Sequence, residues 1–118
     1  MTGTAGMLDR KLFVALSRLT APGTDLRPQL AAHLAFMIGL EQRGVLFASG
    51  PFYSPDGVPN GAGMSIVRAA TLAEAHAILA DDPFVVSGLR ELELHEWHIL
   101  EGSLQITVLA SQQRGLLP

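Results

Sequence analysis

The chain has 118 residues, of which 48% are apolar and 16% are charged, a length typical of one domain. The charged share lies below the value of about a quarter that is typical of globular proteins, which argues against intrinsic disorder. The formal net charge is −3 and Lys11 is the only lysine, so the sequence lacks the basic patch that binding to nucleic acid requires. There are no cysteines, which excludes disulfides, thiolate catalysis and zinc–cysteine sites.

No segment of the sequence has the properties of a membrane span or a secretion signal. No apolar run approaches the roughly 18 residues that suggest a transmembrane helix. Residues 1–7 contain no basic stretch followed by an apolar core, which a signal peptide would need. We therefore expect one domain over residues 1–118, flexible at residues 1–10, located in the cytoplasm and without a membrane partner.

Hydrophobic periodicity and turn residues predict five strands and two helices. The predicted elements are a strand at 11–20, a helix at 26–43, strands at 45–52 and 64–70, a helix from residue 71, and strands at 92–100 and 104–109. Pro and Gly residues place a loop or lid at 54–63, and a short helical turn or loop follows at 84–89. The apolar positions of the fourth strand change phase midway, which predicts a β-bulge near His95 and Glu96.

Both predicted helices carry an N-terminal capping signal and an apolar face. Thr24 or Asp25 can cap the first helix, and Thr71 with Glu74 forms a T-x-x-E capping box at the start of the second. At about 100° per residue, the inner face of the first helix comprises Leu26, Leu30, Leu34, Met37 and Leu40. The inner stripe of the second helix comprises Leu72, Ala75, His76 and Leu79. His33 lies within the apolar face of the first helix.

The order β-α-β-β-α-β, followed by one additional C-terminal strand, predicts an α+β fold of ferredoxin-like architecture. Two helices cover only one face of a four-stranded sheet, yet the predicted strands are apolar on both faces. The uncovered face needs a partner, and an identical subunit is the simplest one. We therefore expect a homodimer or a higher assembly of this chain.

Three short motifs together resemble the YCII-related family. They are His33 in the first helix, the strand end Ala48-Ser49-Gly50-Pro51, and Asp82-Pro83-Phe84 after the second helix. A later stretch, 97–106, is similar to a C-terminal extension in one branch of that family, and the whole resemblance covers residues 12–108. It implies a dimeric α/β barrel made by two ferredoxin-like sheets, with a site built from the histidine and the aspartate. Relatives of this kind include a dehydrochlorinase of a chlorinated hydroxyhydroquinone, and the wider fold includes muconolactone isomerase.

His33 and Asp82 are the candidate catalytic residues, and each also has a purely structural interpretation. A neutral imidazole among apolar side chains needs a hydrogen-bond partner. If that partner is a carboxylate, the pair can act as general base and orienting group; otherwise His33 is a core histidine without chemistry. Asp82 before Pro83 is also a favoured helix start. Both roles are compatible if one carboxylate oxygen caps the helix while the other accepts from His33.

A second group of residues is predicted to bind substrate. This group comprises Ser49, Gly50, Pro51 and Phe84. Gly50 lets the backbone approach a ligand closely, although the same segment also serves to end a strand, and Phe84 is either a core residue or part of a pocket wall. His95 and His98 are three apart on a strand, so they point to opposite faces and do not form a simple metal pair. We expect no metal ion and no cofactor.

These features together predict a cofactor-independent lyase or isomerase that acts on a small cyclic or aromatic metabolite. His33 would transfer the proton, Asp82 would hold the required tautomer, and the backbone near Ser49 and Gly50 would help to position the substrate. Two alternatives stay open. The first is that the protein is a non-catalytic dimeric binder of a small molecule. The second is that it is a haem protein, since related dimeric α/β barrels use a histidine ligand.

Overall fold

Up to residue 109, strands and helices follow one another in the order that the sequence predicts. The computed structural model describes residues 3–118, which divide into two compact units: Lys11–His98, and the two terminal segments 3–10 and 99–118. The elements are β1 (Arg10–Leu19), α1 (Arg27–Gln42), β2 (Leu46–Tyr53), β3 (Pro59–Val67), α2 (Leu72–Leu79), α3 (Pro83–Val86), β4 (Arg90–Ile99), β5 (Thr107–Leu109) and β6 (Arg114–Leu116). A single domain over residues 1–118 stays a prediction.

The N-terminal segment was predicted to be flexible over residues 1–10. Met1 and Thr2 lie outside the described residues, and residues 3–7 form turns and a bend. Flexibility of this segment therefore stays a prediction.

The first four strands form one sheet in the order β2-β3-β1-β4, which is the ferredoxin-like arrangement. β3 runs antiparallel to both β1 and β2. Residues that oppose one another across strands point to the same face of a sheet, so the register defines two faces. On the inner face, one row is Ser17, Gly63 and Pro51, and the next is Ala15, Ser65 and Ser49. The predicted α+β, ferredoxin-like fold is confirmed.

The apolar core lies between the helices and the inner face of this sheet. It unites side chains of β1, α1, β3 and α2: Phe13, Ala15, Met37, Leu40, Val67, Ala75 and Leu79. Leu92 and Leu94 of β4 pack against this cluster. Burial of these side chains removes their apolar surface from water, at roughly 25 cal/mol per Å², and this holds both long helices on one side of the sheet.

The start of α1 differs from its prediction. Its N-cap residue is Leu26, which has no side-chain cap, so neither Thr24 nor Asp25 caps the helix. The Asp25 carboxylate instead accepts from the backbone N–H of Arg27 at 3.0 Å and forms an ion pair with the guanidinium of the same residue at 2.9 Å. Pro28 has no N–H, so the first turn leaves one fewer donor to be capped.

The start of α2 confirms the predicted capping box. The Thr71 hydroxyl accepts from the backbone N–H of Glu74 at 3.1 Å, and the Glu74 carboxylate accepts from the backbone N–H of Ala70 at 3.2 Å. The return hydrogen bond thus goes to the residue before the N-cap rather than to the N-cap itself. The buried stripe of α2 is narrower than predicted, because Leu72 and His76 are exposed.

The connection between β2 and β3 is shorter than the predicted loop at 54–63. β3 begins at Pro59, which lies opposite Tyr53, so only residues 54–58 connect the strands. A proline is compatible with the first position of a strand because it need not donate to the ladder there. β4 runs from 90 to 99, and its alternation of partly buried and exposed residues ends after Leu94. The bulge expected near His95 and Glu96 stays a prediction.

The additional C-terminal strand belongs to a second sheet. β5 pairs with β6 in antiparallel register, with Thr107 opposite Leu116 and Leu109 opposite Arg114. The strand predicted at 104–109 is therefore correct only for its last three residues, and β6 lies in a segment for which no strand was predicted. Because β5 makes its ladder with β6, it is not a fifth strand of the four-stranded sheet. Within residues 3–118, no helix is both long and apolar enough to cross a membrane.

Candidate active site

A cavity of about 490 Å³ is lined by α1, by the four-stranded sheet and by the segment that ends α2 and begins α3. The composition of the inner sheet face explains its presence. Ser17, Gly63, Ser65 and Ser49 all lie on that face and line the cavity. Side chains this small do not reach α1, whereas Phe13 and Val67 further along the same sheet fill the space beneath the helices. The cavity thus begins where the large core side chains stop.

The apolar face of α1 is shared between the core and the cavity. Met37 and Leu40 are buried in its C-terminal half, whereas Leu26, Leu30 and Leu34 line the cavity in its N-terminal half. Leu30 and Leu34 are consequently 44% and 49% exposed. The sequence predicts correctly that these leucines point inward, but it does not predict how far they are exposed. Helical periodicity does not distinguish a packed face from a cavity wall.

His33 and Asp82 form a hydrogen-bonded pair in the wall of the cavity. The His33 Nδ1 lies 2.8 Å from the Asp82 Oδ1, and the two side chains are 15% and 8% exposed. A carboxylate only accepts hydrogen bonds, so Nδ1 carries the hydrogen that is shared with Asp82. In the neutral imidazole the lone pair then resides on Nε2. The pair therefore has the arrangement of a base whose tautomer is held by an acceptor.

Asp82 has a second role at the start of α3. It is the N-cap residue, and its Oδ1 accepts from the backbone N–H of Phe84 at 3.0 Å. The two roles are compatible, as the sequence suggested, but they are not divided between the two oxygens as predicted: Oδ1 accepts from both donors. Its position on a helix start restricts Asp82 to one orientation, so α3 positions the acceptor that orients His33.

Phe84 supports the same pair through its ring. It is almost fully buried, and its ring stacks on the His33 imidazole with centroids 4.1 Å apart and an angle of 18° between the planes. The Arg90 guanidinium lies over the Phe84 ring, 4.7 Å from the centroid. Stacking restricts rotation of the imidazole, and the cation–π contact holds Arg90 at the cavity wall.

Arg90 is a half-buried cation beside the dyad. Its Nε donates to the carbonyl oxygen of Gly61 at 2.8 Å, and its side chain lines the cavity. Burial lowers the pKa of Arg90 from its usual value, while the negative charge of Asp82 acts in the opposite direction. A guanidinium stays protonated at neutral pH, so Arg90 places a fixed positive charge in the cavity wall near the negative charge of Asp82.

The strand segment Ser49–Pro51 also lines the cavity. Ser49 lies opposite Ser65, and Pro51 lies opposite Gly63. A Cβ added at Gly50 would meet no protein atom within 4 Å, so no neighbouring protein atom excludes a larger residue there. The structure therefore brings all six candidate residues from the sequence to the wall of one cavity.

Two residues of this wall were not among the sequence candidates. Ser17 is 7% exposed, and its hydroxyl has no hydrogen-bond partner among residues 3–118. Arg90 was not singled out because it stands at the boundary of a strand. The signal for Ser17 was its position as the only serine in a largely apolar strand, but a serine in a strand core is ordinarily a small packing residue.

The histidines of β4 form local pairs. The His95 Nε2 lies 3.3 Å from the Glu93 Oε2, and the His98 Nε2 lies 2.9 Å from the Glu96 Oε2. In the part of the chain that the structure describes, no group of three or more His, Asp or Glu residues is placed to hold a metal ion.

Comparisons with known proteins agree with this architecture. No curated protein sequence is significantly similar to the chain. Among solved structures, the chain is similar to 5-chloro-2-hydroxyhydroquinone dehydrochlorinase (TftG) from Burkholderia phenoliruptrix AC1100, in complex with 2,5-dihydroxybenzoquinone. The TM-score is 0.60 and the identity 24%, over 72% of this chain and 92% of that one, which shows a shared fold. The profile of the YCII-related domain matches residues 13–98, well over half of the chain and almost the whole of the Lys11–His98 unit. The chain therefore belongs to the YCII-related domain family.

Proposed function

We propose that this protein is a cofactor-independent lyase or isomerase that acts on a small cyclic or aromatic molecule, with His33 as the base. The observation that carries the proposal is the 2.8 Å contact between His33 and Asp82 in the wall of an otherwise largely apolar cavity. A histidine and a carboxylate that share a hydrogen bond inside a cavity have the geometry of general acid–base catalysis.

The proton-transfer step needs only groups of this chain. Nε2 of His33 takes a proton from the substrate, and the electron pair of the broken bond forms a new double bond. In a lyase that pair expels a leaving group, such as chloride, from the neighbouring atom. In an isomerase the new double bond displaces the electron pair of an adjacent double bond, and the imidazolium returns the proton to the atom that receives this pair. A positioned base of this kind contributes about 10²–10⁴-fold to a rate.

Asp82 acts on this step through His33. Its carboxylate keeps the hydrogen on Nδ1, so Nε2 is free to accept the proton, and it stabilises the imidazolium that results. A hydrogen bond to a charged group contributes about 1.5–3 kcal/mol. Because the carboxylate is itself held by the start of α3, it does not have to reorganise when the charge on the imidazole appears.

The cavity favours a small substrate with a flat or cyclic apolar body. Its volume of about 490 Å³ lies within the range of about 300–1,000 Å³ that is usual for ligand pockets. Leucines of α1, Met37 and the backbone near Ser49 and Gly50 supply apolar walls and positioning contacts. The dehydrochlorination of a small aromatic compound by a protein of the same fold supports this substrate class.

The proposal includes pairing of two copies in the cytoplasm. Val14, Leu16, Met64 and Ile66 point to the outer face of the sheet, opposite the helices, as the register places them. Phe52, which is exposed, lies on the neighbouring β2. An apolar face of this kind is typical of an interface. Light scattering of the native protein should give twice the monomer mass, and Phe52→Glu, at the exposed position on β2, should give the monomer mass.

The test of the proposed reaction is turnover with matched histidine variants. A panel of small cyclic acids, phenols and quinones, including 5-chloro-2-hydroxyhydroquinone, is incubated with the protein and followed by absorbance and chloride release. His33→Asn keeps an N–H where Nδ1 stands and removes Nε2, so kcat/KM should fall about 10²-fold or more. His76→Asn, at an exposed position of α2, is the control and should leave turnover unchanged. Full activity of His33→Asn would refute the mechanism, and ligands that raise the melting temperature yet stay unchanged would favour the non-catalytic binder.

A further inference from the structure

The buried hydroxyl of Ser17 is unusual because nothing in the described part of the chain satisfies it. The side chain is on the inner face of β1, opposite Gly63, and it lines the cavity. A buried hydroxyl without a partner costs free energy relative to its hydrated state, and a native fold usually avoids such a group. The hydroxyl is therefore placed to donate to, or accept from, a molecule in the cavity.

Arg90 lies on the same face of the sheet, on the neighbouring strand. Arg18 forms an ion pair with Glu91 at 2.7 Å across β1 and β4. Neighbouring residues of a strand point to opposite faces, so Ser17 and Arg90 both point away from that ion pair and toward the helices. The lining of the cavity contains both side chains. A neutral donor and a cation thus stand on adjacent strands within one cavity.

Two contacts of Arg90 fix the position of its guanidinium group and leave its other N–H donors unused by the described residues. Its Nε is used by the Gly61 carbonyl, and its guanidinium plane is held over Phe84. No ion pair between Arg90 and a carboxylate occurs among residues 3–118 within 4.0 Å, although Asp82 is near enough to affect the pKa of Arg90. The Asp82 Oδ1 is itself engaged by two N–H donors, so Arg90 keeps N–H groups for a ligand.

We propose that Ser17 and Arg90 form an oxyanion subsite, which binds an anionic oxygen of the ligand, such as a carboxylate, phenolate or enolate oxygen. The inference rests on the proposed function in placing the substrate in the cavity beside His33. It names the substrate class more narrowly: a cyclic molecule with an acidic oxygen. When His33 removes a proton from the carbon next to a bound carboxylate, the electron pair of the broken C–H bond delocalises onto the carboxylate oxygens, and the guanidinium and the hydroxyl stabilise this added negative charge.

The test uses two probes of the same shape and different charge, benzoate and benzamide, titrated at neutral pH against the full chain and followed by amide NMR shifts. The wild type should bind benzoate about ten-fold more tightly than benzamide, since a charge-assisted hydrogen bond is the stronger one. Arg90→Gln should abolish the preference, Arg90→Lys should keep most of it, and Ser17→Ala should reduce it. Arg18→Gln, which removes a charge on the opposite face of the sheet, is the matched control and should leave the preference intact.

The melting temperature of the ligand-free variants separates binding from structure. Ser17→Ala removes an unsatisfied hydroxyl, so its melting temperature should equal or exceed that of the wild type; a clear decrease would show that Ser17 is structural and would overturn the proposal. Equal binding of benzoate and benzamide by the wild type would also overturn it. A preference for benzoate that Arg90→Gln abolishes, in a protein without turnover, would establish the subsite and refute the proposed reaction. Turnover that depends on His33 but not on Ser17 or Arg90 would support the proposed reaction and refute the oxyanion subsite.

Discussion

Removal of the Asp82 carboxylate should destabilise the protein through two separate contacts that meet at one oxygen. Asp82→Ala loses the cap of α3, which contributes about 1 kcal/mol. It also loses the hydrogen bond from His33, where a bond to a charged group contributes about 2 kcal/mol. The free energy of unfolding should therefore fall by about 3 kcal/mol, which lowers the melting temperature of a chain of this length by about 10 °C.

A double-mutant cycle isolates the His33–Asp82 contact from the cap. The four proteins are the wild type, Asp82→Ala, His33→Leu and the double variant. The cap of α3 is lost in both Asp82→Ala steps, so its contribution cancels and the coupling energy reports the pair alone. We expect a coupling of about 2 kcal/mol, because the contact is short and both side chains are largely buried.

Urea unfolding followed by circular dichroism measures each free energy at one fixed protein concentration, since any pairing of copies would make stability depend on concentration. The cycle is valid where the four variants share the same m-value. A coupling below about 0.5 kcal/mol would show that the contact with Asp82 does not hold His33. Asp82 would then be a helix cap only, and His33 would be a core histidine without an orienting partner.

Two further predictions concern the frame that holds the site. A Cβ at Gly63 would lie 2.9 Å from the backbone oxygen of Gly50, so Gly63→Ala should destabilise the protein by about 1–3 kcal/mol. Gly50→Ala is the control, because its Cβ would meet nothing within 4 Å, and its melting temperature should be close to that of the wild type. Equal melting temperatures of the Gly63→Ala and Gly50→Ala variants would contradict the close approach of β2 and β3 at Gly63. Thr71→Ala should cost about 1 kcal/mol in urea unfolding through loss of the cap of α2; no change would mean that Glu74 alone completes the helix start.

The sequence predicted the fold because its signals are local and consistent with one another. Alternating strands and helices and the capping box at Thr71 define a ferredoxin-like order without any knowledge of packing. The start of β3 was misplaced because Pro59 and Gly61 are turn formers in isolation, whereas cross-strand pairing with β2 extends the strand through them. Tertiary pairing overrides local propensity at such positions.

The candidate site could be predicted only in part, since its residues come together from distant parts of the chain. His33 and Asp82 are 49 positions apart, and the family resemblance, not periodicity, connected them. Ser17 and Arg90 carried no such signal. A serine in an apolar strand becomes notable only when its hydroxyl is seen to be buried and unsatisfied, and Arg90 only when its neighbours Phe84 and Gly61 are known.

The proposed mechanism requires that Asp82 hold His33 with its hydrogen on Nδ1 and its lone pair on Nε2. Long-range ¹H–¹⁵N correlation NMR distinguishes the two nitrogens of a neutral imidazole directly. In the wild type, at a pH where His33 is neutral, Nδ1 should show the ¹⁵N chemical shift of a protonated nitrogen and Nε2 that of an unprotonated one. In Asp82→Ala the hydrogen should no longer favour Nδ1 over Nε2. A wild-type His33 that carries its hydrogen on Nε2 would contradict the account, because no lone pair would then face the substrate.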